Sequence, residues 1–326
     1  MSDIHHYEIP VADLQDYTSK DPDRVERFIT TVGEALEKIG FFALKNHSID
    51  KSLIARAYKE SEALFSLPNE VKKNYEIPGL LGQRGYVGLG REHAKGEKTP
   101  DLKEFWHIGR EQYDTSKPYK HLEKNIWPPE KVPNFEKELK DLYEQIDLCA
   151  LTLLEACALY LGEAKDRFSE MAVNGDSILR VIHYPPVKDG SEVIRAGAHE
   201  DINLITLLCE STSEGLQLQT HDGKWHSLSR LYDHIIVDSG DMLQNITNGI
   251  FKSTTHRVVN PKGNSSPRLS MPFFCHPRRE CSLAPLPKSI QRSSQEATYP
   301  DITAGDYLFE RLREIGMDFK PCPKNP

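Results

Sequence analysis

The sequence predicts a mainly β protein with flanking α-helices, whose core is a sandwich or barrel of the jelly-roll kind. The first observation is a series of short β-type runs between residues 178 and 280. The second is the set of turn signals between these runs, such as Asp222-Gly223 and Asn248-Gly249. The third is a long helical pattern directly before the runs, which would pack on a sheet. A chain of 326 residues is long enough for a core of this size.

The N-terminal elements alternate between helix and strand. The stretch RVERFITTVGEALEKIG has apolar residues at steps of three and four, and it predicts a helix that ends at Gly40. FFALKNH follows and predicts a short buried strand. SIDKSLIARAYKESEALFSLP predicts a second helix, with Ser48 or Asp50 as the cap and Pro68 as the stop. Residues 78–132 are rich in glycine and proline and are predicted to form a long loop-rich segment.

One long helix is predicted next, over NFEKELKDLYEQIDLCALTLLEACALYLG. Leu139, Leu142, Ile146, Cys149 and Cys157 recur at helical spacing and form part of a single apolar face. We interpret this element as a scaffold helix packed on a sheet, with its cysteines in the core.

The β-type runs follow the scaffold helix and are ILRVIHY, GAHEDINLITLL, GLQLQT, KWHSL, HIIVDSG, HRVVN and RLSMPFFCH. Asp222-Gly223 between two of them predicts a tight hairpin. DYLFERLREIG predicts a helix near the C-terminus. These patterns divide the chain into an N-terminal mixed helix and strand region (1–132), the scaffold helix (133–172), the jelly-roll core (175–285) and a C-terminal helical tail (286–326).

Charge and composition argue against several classes of protein. The net charge is −8 without a basic block, which argues against broad nucleic-acid binding and against attraction to an anionic membrane surface. The start MSDIHHYEIP lacks the features of a secretory signal, and the most apolar stretch is too short to span a bilayer. The 6 cysteines form no C-x-x-C pair and are interpreted as reduced thiols. We therefore expect a cytoplasmic protein with neither nucleic acid nor a membrane as its partner.

A metal site is predicted at the start of the stretch HEDINLITLL. On a strand, residues i and i+2 point to one face, so His199 and Asp201 can bind one ion from the same side. His256 opens another predicted strand, HRVVN, and is the best candidate for a third ligand. Two imidazoles and one carboxylate on one face of a metal leave positions open, and this arrangement suits non-haem Fe(II). The same three ligands would also suit catalytic zinc.

A carboxylate-binding site is predicted one strand further on, in RLS. Arg268 and Ser270 are again i, i+2 neighbours and share a face. An arginine that points into a barrel is costly unless it meets an anion, and a guanidinium beside a hydroxyl is a good receptor for a carboxylate. Tyr184 in RVIHYPP could add a third hydrogen bond from an adjacent strand.

The order H-x-D, His, R-x-S resembles the iron(II)- and 2-oxoglutarate-dependent oxygenases, and more narrowly the isopenicillin N synthase-like family. The resemblance extends from about residue 6 to residue 274, and it includes HYEIPVADL, IGFFALKNHSI, DLKEFWHIG, NIWP, RVIHYPP, GLQLQTHDGKWHSL, SGDMLQNITNGIFKSTTHRV and RLSMPFF. It implies a double-stranded β-helix, a distorted jelly roll of the cupin-like kind. Many plant members carry Asn two residues before the tyrosine that corresponds to Tyr184. Here Ile182 stands there, which argues against a close plant-type substrate.

The resemblance also implies the roles of the site residues. His199, Asp201 and His256 would bind iron. Arg268 and Ser270, assisted by Tyr184, would hold the distal carboxylate of 2-oxoglutarate.

The implied reaction uses Fe(II), 2-oxoglutarate and molecular oxygen. Oxidative decarboxylation of 2-oxoglutarate to succinate and CO2 would be coupled to hydroxylation, desaturation or cyclisation of a small-molecule substrate. The first alternative is an oxidative cyclase of the isopenicillin N synthase type, which uses the Arg–Ser pair for its substrate and needs no 2-oxoglutarate. Two further alternatives are a zinc hydrolase and a metal-free β-barrel binding module.

The substrate itself is not encoded in any motif of the sequence. We expect its contacts to come from residues 80–110, the mouth of the barrel and the C-terminal tail. Arg84, Tyr86 and Phe274 are the candidate pocket residues, chosen for their positions in the long loop and on the strand after the R-x-S pair.

Overall fold

The fold was analysed in a computed structural model of the chain. It describes residues 6–77, 79–80, 82–92, 100–116, 123–128, 130–187, 193–263, 265–293 and 296–314.

Two β-sheets face each other, one five-stranded and one eight-stranded over the described residues. The strands are β1 (His6–Tyr7), β2 (Val11–Asp13), β3 (Phe41–Lys45), β4 (Gly85–Val87), β5 (Glu104–Gly109), β6 (Ile178–Tyr184), β7 (Ile194–His199), β8 (Ile205–Cys209), β9 (Leu216–Gln219), β10 (Trp225–Leu228), β11 (Ile235–Ser239), β12 (His256–Val259) and β13 (Arg268–Cys275). The smaller sheet has the order β1-β10-β9-β12-β7, and the larger has the order β2-β3-β11-β8-β13-β6-β5-β4.

The helices are α1 (Leu14–Thr18), α2 (Pro22–Lys38), α3 (Lys51–Phe65), α4 (Asn69–Lys73), α5 (Phe135–Tyr160), α6 (Ser169–Ala172), α7 (Asp241–Ile246), α8 (Pro287–Ser293) and α9 (Ala304–Glu314). The predicted N-terminal elements are present, and Asp50 rather than Ser48 caps α3 by accepting from the Ser52 amide. The predicted scaffold helix is α5, and its buried face includes Leu139, Ile146 and Leu153.

The strands from β6 to β13 form the jelly roll. Strands β6, β8, β11 and β13 belong to the larger sheet, and β7, β9, β10 and β12 belong to the smaller one. The chain therefore passes back and forth between the sheets, except at the β9–β10 hairpin, where Gly223 takes a φ of 78° in the predicted Asp222-Gly223 turn. Pairing within these two four-stranded layers is antiparallel. This is the predicted double-stranded β-helix.

The predicted loop-rich segment, residues 78–132, contains two short strands, because β4 and β5 lie within it and extend the larger sheet next to β6. Every residue of β5 is buried, so the sequence EFWHIG does not alternate between buried and exposed side chains as a strand with one solvent-facing side would. One local prediction was wrong, because the run GAHEDINLITLL does not form one strand. It splits into β7, which ends at His199, and β8, and these belong to different sheets.

The described cysteines are free thiols, and Cys149, Cys157, Cys209 and Cys275 are buried as expected. Cys322 lies outside the described residues. Among the described helices, none is both long enough and apolar enough to cross a membrane.

Candidate active site

Three ligand-type side chains converge where β7 and β12 pair. His199 ends β7, His256 begins β12, and the two residues are direct partners in the antiparallel register. The Nε2 atoms of both histidines lie 3.8 Å from Oδ1 of Asp201. One ligand atom from each of the three residues lies within 4.8 Å of the others. Within the part of the chain that the structure describes, this is the one such group of three. The strand pairing therefore assembles the predicted triad.

Asp201 reaches the site by a different route from the predicted one. It follows the end of β7 and lies outside regular secondary structure, so strand alternation does not aim its carboxylate. Its position is fixed by the turn into α7, where the Asp241 amide donates to the Asp201 carbonyl at 2.7 Å. Gly240 passes close by, and a Cβ there would lie 2.7 Å from the Asp201 carbonyl oxygen.

Hydrogen bonds set which atoms of the triad face a metal. Nδ1 of His199 lies 2.8 Å from the Gly197 carbonyl, and Nδ1 of His256 lies 3.1 Å from the Thr254 carbonyl. A carbonyl can only accept, so each Nδ1 carries the hydrogen and each Nε2 presents a lone pair. Because Nε2 is the atom that faces Asp201 in both rings, the donor set fits a divalent metal.

The second oxygen of the Asp201 carboxylate is held by the protein. The Thr206 hydroxyl donates to Oδ2 of Asp201, and Asn203 Nδ2 donates to the Thr206 oxygen at 2.8 Å. Thr206 lies on β8 and is buried, so this chain of bonds ties the loop ligand to the larger sheet. Oδ1 stays directed at the histidines, which favours one-oxygen coordination by this carboxylate.

The surroundings of the triad favour its neutral, metal-binding histidine form. Burial and the neighbouring His256 lower the pKa of His199 to about 4, against the opposing effect of Asp201. Burial and the charge of Asp201 also raise the pKa of Asp238, which lies on β11 beside Thr206. At neutral pH His199 is therefore neutral, the form that binds metal.

The predicted carboxylate site is assembled by β6 and β13. Arg268 pairs directly with Tyr184 across these strands, and its guanidinium carbon lies 5.1 Å from the centre of the Tyr184 ring. Arg268, Ser270 and Tyr184 are all buried, at 1%, 3% and 2% exposure. Tyr184 also packs in one apolar cluster with Ala196 of β7 and Val258 of β12, the strands that carry His199 and His256. The three residues are therefore brought together beside the triad.

The Arg268 guanidinium is incompletely satisfied by the protein. Its Nε donates to the Ser213 carbonyl at 3.1 Å, but NH1 has no hydrogen-bond acceptor among the described residues. A buried charged donor without a partner is costly. The residues therefore fit an anion at this position.

A cavity of about 550 Å³ opens beside His199 and Asp201. Its volume lies in the range of small-molecule sites, which is roughly 300–1,000 Å³. The apolar part of its wall includes Ile178, Ile202, Phe274, Leu308 and Leu312. Leu308 and Leu312 belong to α9, so the C-terminal tail closes one side of the cavity, as expected.

One part of the polar wall of the cavity is an ion-pair network. Glu92 accepts from NH1 and NH2 of Arg180 at 3.2 Å each and pairs with Lys103 at 2.9 Å. Lys103 also pairs with Asp101 at 2.7 Å. Against the effect of burial, Arg180 and Lys103 lower the pKa of Glu92, while Glu92 and Asp101 raise the pKa of Lys103. Two charges of each sign thus compensate each other.

His107 extends this network. Its Nε2 accepts from Nε of Arg180 at 2.5 Å, and its Nδ1 lies 2.6 Å from the Gly82 carbonyl. Burial and Arg180 hold its pKa well below the usual range, so His107 is neutral. His107 is buried and lines the cavity.

Of the candidate pocket residues, Phe274 lines the cavity, but Arg84 and Tyr86 do not. Arg84 is buried and donates to the Glu123 and Gln83 carbonyls. Tyr86 donates to Glu104, which Lys72 neutralises at 2.7 Å. That part of the prediction was wrong, because internal hydrogen bonds turn both side chains away. Gln83 takes the place on the wall.

Several wall residues were missed from the sequence. Arg180 lies on β6, where a charged residue inside an apolar strand could have been read as a buried, functional group. The sequence did not distinguish Lys103 and Glu92 from surface residues, because charged side chains are common in exposed loops. His276 follows β13, is buried and lines the cavity, and its Nδ1 has no hydrogen-bond partner among the described residues.

Two family models match the chain over most of its length. One, described as non-haem dioxygenase in morphine synthesis N-terminal, matches residues 9–130. The other, the 2OG-Fe(II) oxygenase superfamily, matches residues 175–277. Proline hydroxylase buaE of Petromyces alliaceus is 30% identical over 322 residues, which cover 94% of this chain and 98% of that protein. The chain belongs to the 2OG-Fe(II) oxygenase superfamily.

Solved structures show the same fold for this oxygenase. A full-length Neurospora crassa protein, solved in complex with alpha-KG, has a TM-score of 0.84 at 29% identity and covers 96% of this chain and 97% of that one. A 2OG-Fe(II) oxygenase family protein from Caulobacter crescentus has a TM-score of 0.83 at 37% identity and covers 94% and 99%. The oxygenase is an Fe(II)- and 2-oxoglutarate-dependent dioxygenase that consumes molecular oxygen. The zinc hydrolase and the metal-free module are therefore wrong.

Proposed function

We propose that His199, Asp201 and His256 bind the Fe(II) of this dioxygenase, and that the cavity beside them receives a small-molecule substrate. The observation that carries the proposal is the meeting of three metal-type ligand atoms within 4.8 Å at the edge of a cavity of about 550 Å³. When bound, iron and 2-oxoglutarate supply the oxidising chemistry, in which 2-oxoglutarate loses CO2 and becomes succinate. The protein residues hold and orient these groups.

In this proposal Arg268, Ser270 and Tyr184 hold the distal carboxylate of 2-oxoglutarate. Arg268 supplies charge and Ser270 and Tyr184 supply hydroxyl groups, and all three are shielded from water. Shielding strengthens the ion pair relative to the same pair in solvent. The unpartnered NH1 of Arg268 supports this role, because a carboxylate would satisfy it.

The cavity wall indicates a substrate that is polar at one side and apolar at the other. Phe274, Ile178 and the α9 leucines offer apolar surface. The network of Glu92 and Arg180 offers hydrogen bonds without net charge, because its ion pairs are internal. A relative named as a proline hydroxylase, and structures of the Neurospora crassa protein with thymine and with 5-formyluracil, support a small polar molecule.

The test is anaerobic titration of the purified, metal-free protein with Fe(II) and then with 2-oxoglutarate. We expect one Fe(II) per chain and a visible charge-transfer band when 2-oxoglutarate binds. Asp201→Ala should abolish both. If Asp201→Ala bound iron as tightly as the natural protein, the triad assignment would be wrong.

Substrate candidates are then tested with oxygen present. A true substrate should raise succinate release and yield an oxidised product in equal amount. A compound that binds without raising succinate release is excluded as the substrate.

A further inference from the structure

A second buried arginine lies beside the carboxylate site. Arg195 is on β7, four positions before His199, and its exposure is 0%. The register between β7 and β12 shifts twice in this part, between His256 and Val258 and again between Val258 and Val259. Register shifts of this kind re-aim side chains. Here Arg195 is directed into the protein, while its neighbour Ile194 is 55% exposed.

The Arg195 guanidinium has few partners. Its NH2 donates to the Ser266 carbonyl at 2.8 Å. Its Nε and NH1 have no acceptor among the described residues, and the same holds for NH1 of Arg268. The hydrogen bonds that the two guanidinium groups do make end on backbone carbonyls, those of Ser266 and Ser213. Burial and the charge of Arg268 lower the pKa of Arg195, so the two cations act on each other.

Arg110 is a buried arginine with a structural role, and it has a carboxylate partner. Its NH1 and NH2 each donate to Asp147 at 2.7 Å, in a bidentate pair. Arg195 has no such carboxylate among the described residues, although it is more deeply buried. Two like charges in a shielded place are unfavourable by themselves and become favourable when an anion joins them.

We propose that Arg195 is a second guanidinium for the distal carboxylate of 2-oxoglutarate, which it binds together with Arg268. This rests on the proposed function, because it places the co-substrate at Arg268. The unpartnered nitrogens of the two arginines give the carboxylate more donors than Arg268 alone provides. The pair would also select a dicarboxylic 2-oxo acid, since an uncharged tail would leave both cations unpaired.

The experiment compares two 2-oxo acids on the full-length, Fe(II)-loaded protein without oxygen. 2-Oxoglutarate has the distal carboxylate, and 2-oxovalerate has the same metal-binding head without it. Binding is followed by the charge-transfer band and by calorimetry. Arg195→Met should raise the Kd for 2-oxoglutarate about 10- to 100-fold, the loss expected for a charged hydrogen bond. The Kd for 2-oxovalerate should change less than about twofold, because that acid does not use the guanidinium.

Thermal stability separates this role from a structural one. Without 2-oxoglutarate, Arg195→Met should unfold at the same temperature as the natural protein or higher, because it removes an unpaired buried charge. The rise in Tm that 2-oxoglutarate causes should shrink. Arg110→Met is the matched control. It should lower Tm by leaving Asp147 unpaired and should leave the Kd for 2-oxoglutarate unchanged.

Arg195→Lys and Arg268→Met complete the design. Arg195→Lys keeps the positive charge but loses the planar guanidinium donors, so it should weaken 2-oxoglutarate binding less than Arg195→Met does. If Arg195→Met does not fold, Arg195→Lys is the variant to measure. The inference is overturned if Arg195→Met leaves the Kd for 2-oxoglutarate unchanged. That result is expected if Arg195 binds a group of the substrate instead of the co-substrate. Equal weakening of both acids would also overturn it. If Arg268→Met also leaves the Kd for 2-oxoglutarate unchanged, the proposed 2-oxoglutarate site at Arg268 is wrong. If Arg268→Met raises this Kd and Arg195→Met does not, only the role of Arg195 is refuted.

Discussion

The hydroxyl of Thr206 offers a sharp test of how the protein prepares its metal site. Thr206→Val keeps the shape of the side chain and removes the hydroxyl that donates to Oδ2 of Asp201. The residue is 3% exposed, so water cannot readily replace the lost donor. Asp201 lies outside the strands and would then lose a bond that fixes the orientation of its carboxylate.

The magnitude follows from the type of bond. A hydrogen bond to a charged group contributes about 1.5–3 kcal/mol, which corresponds to about 10- to 100-fold in affinity. Loss of a partner that orients a metal ligand has a similar effect, about 10- to 100-fold. We therefore expect Thr206→Val to weaken Fe(II) binding by that factor. Asn203 Nδ2 also loses its acceptor, so the metal-free protein should be destabilised by about 1–3 kcal/mol.

The assay is anaerobic titration with Fe(II), repeated with Mn(II), which resists oxidation, and a urea unfolding curve of the metal-free protein. Thr206→Ser is the matched control, because it keeps the hydroxyl and loses only a methyl group. It should bind metal within about threefold of the natural protein, since the charged bond is retained. If Thr206→Val bound Fe(II) as tightly as Thr206→Ser, the argument that this hydroxyl orients the carboxylate would be refuted.

Three further perturbations have expected results. Gly240→Ala should cost about 1–3 kcal/mol of stability and weaken Fe(II) binding, because its Cβ would clash with the Asn203 carbonyl and lie 2.7 Å from that of Asp201; an unchanged Tm would contradict this. Burial lowers the pKa of His276 from 6.5 to about 4. Between these two pH values the unfolded chain binds a proton at this histidine and the folded chain does not, so the free energy of unfolding falls by roughly 3 kcal/mol as the pH drops from 6.5 to 4. His276→Gln should flatten this loss in urea unfolding at pH 7.5 and pH 4.5, and a parallel pH profile would refute it. Lys72→Met should destabilise the fold by about 3–5 kcal/mol in urea unfolding, because it leaves Glu104 buried without its cation; a loss below about 1 kcal/mol, as for surface pairs, would contradict it.

Strand pairing explains why the metal triad could be predicted from the sequence. His199 ends β7 and His256 begins β12, and the alternation of each run placed both side chains on an inner face. The pairing of the two strands then brought the rings to a centroid separation of 4.4 Å. Asp201 does lie beside the two histidines, but strand alternation does not place it there, because the strand ends before it and a turn holds it in place.

The cavity wall could not be predicted in this way. Arg84 and Tyr86 were chosen by their position in the chain, yet each is turned away by partners that are distant in sequence, such as Glu123 and Glu104. Arg180, in contrast, faces the cavity because Glu92 and His107 hold it there. A side chain in a loop takes the direction of its strongest available partner, and that partner is known only when the chain is folded.

The sequence by itself determined the jelly-roll class, and it predicted the candidate metal ligands and the Arg268–Ser270 pair. These features rest on strand alternation and on short motifs, which act over neighbouring residues. Only the tertiary structure decided which residues line the cavity. It also decided that Arg195 and Arg268 are both buried with guanidinium nitrogens that have no hydrogen-bond partner in the described part of the chain. The physical reason is that charge compensation and side-chain direction at a register shift depend on contacts between distant segments. No local pattern in the sequence records those contacts.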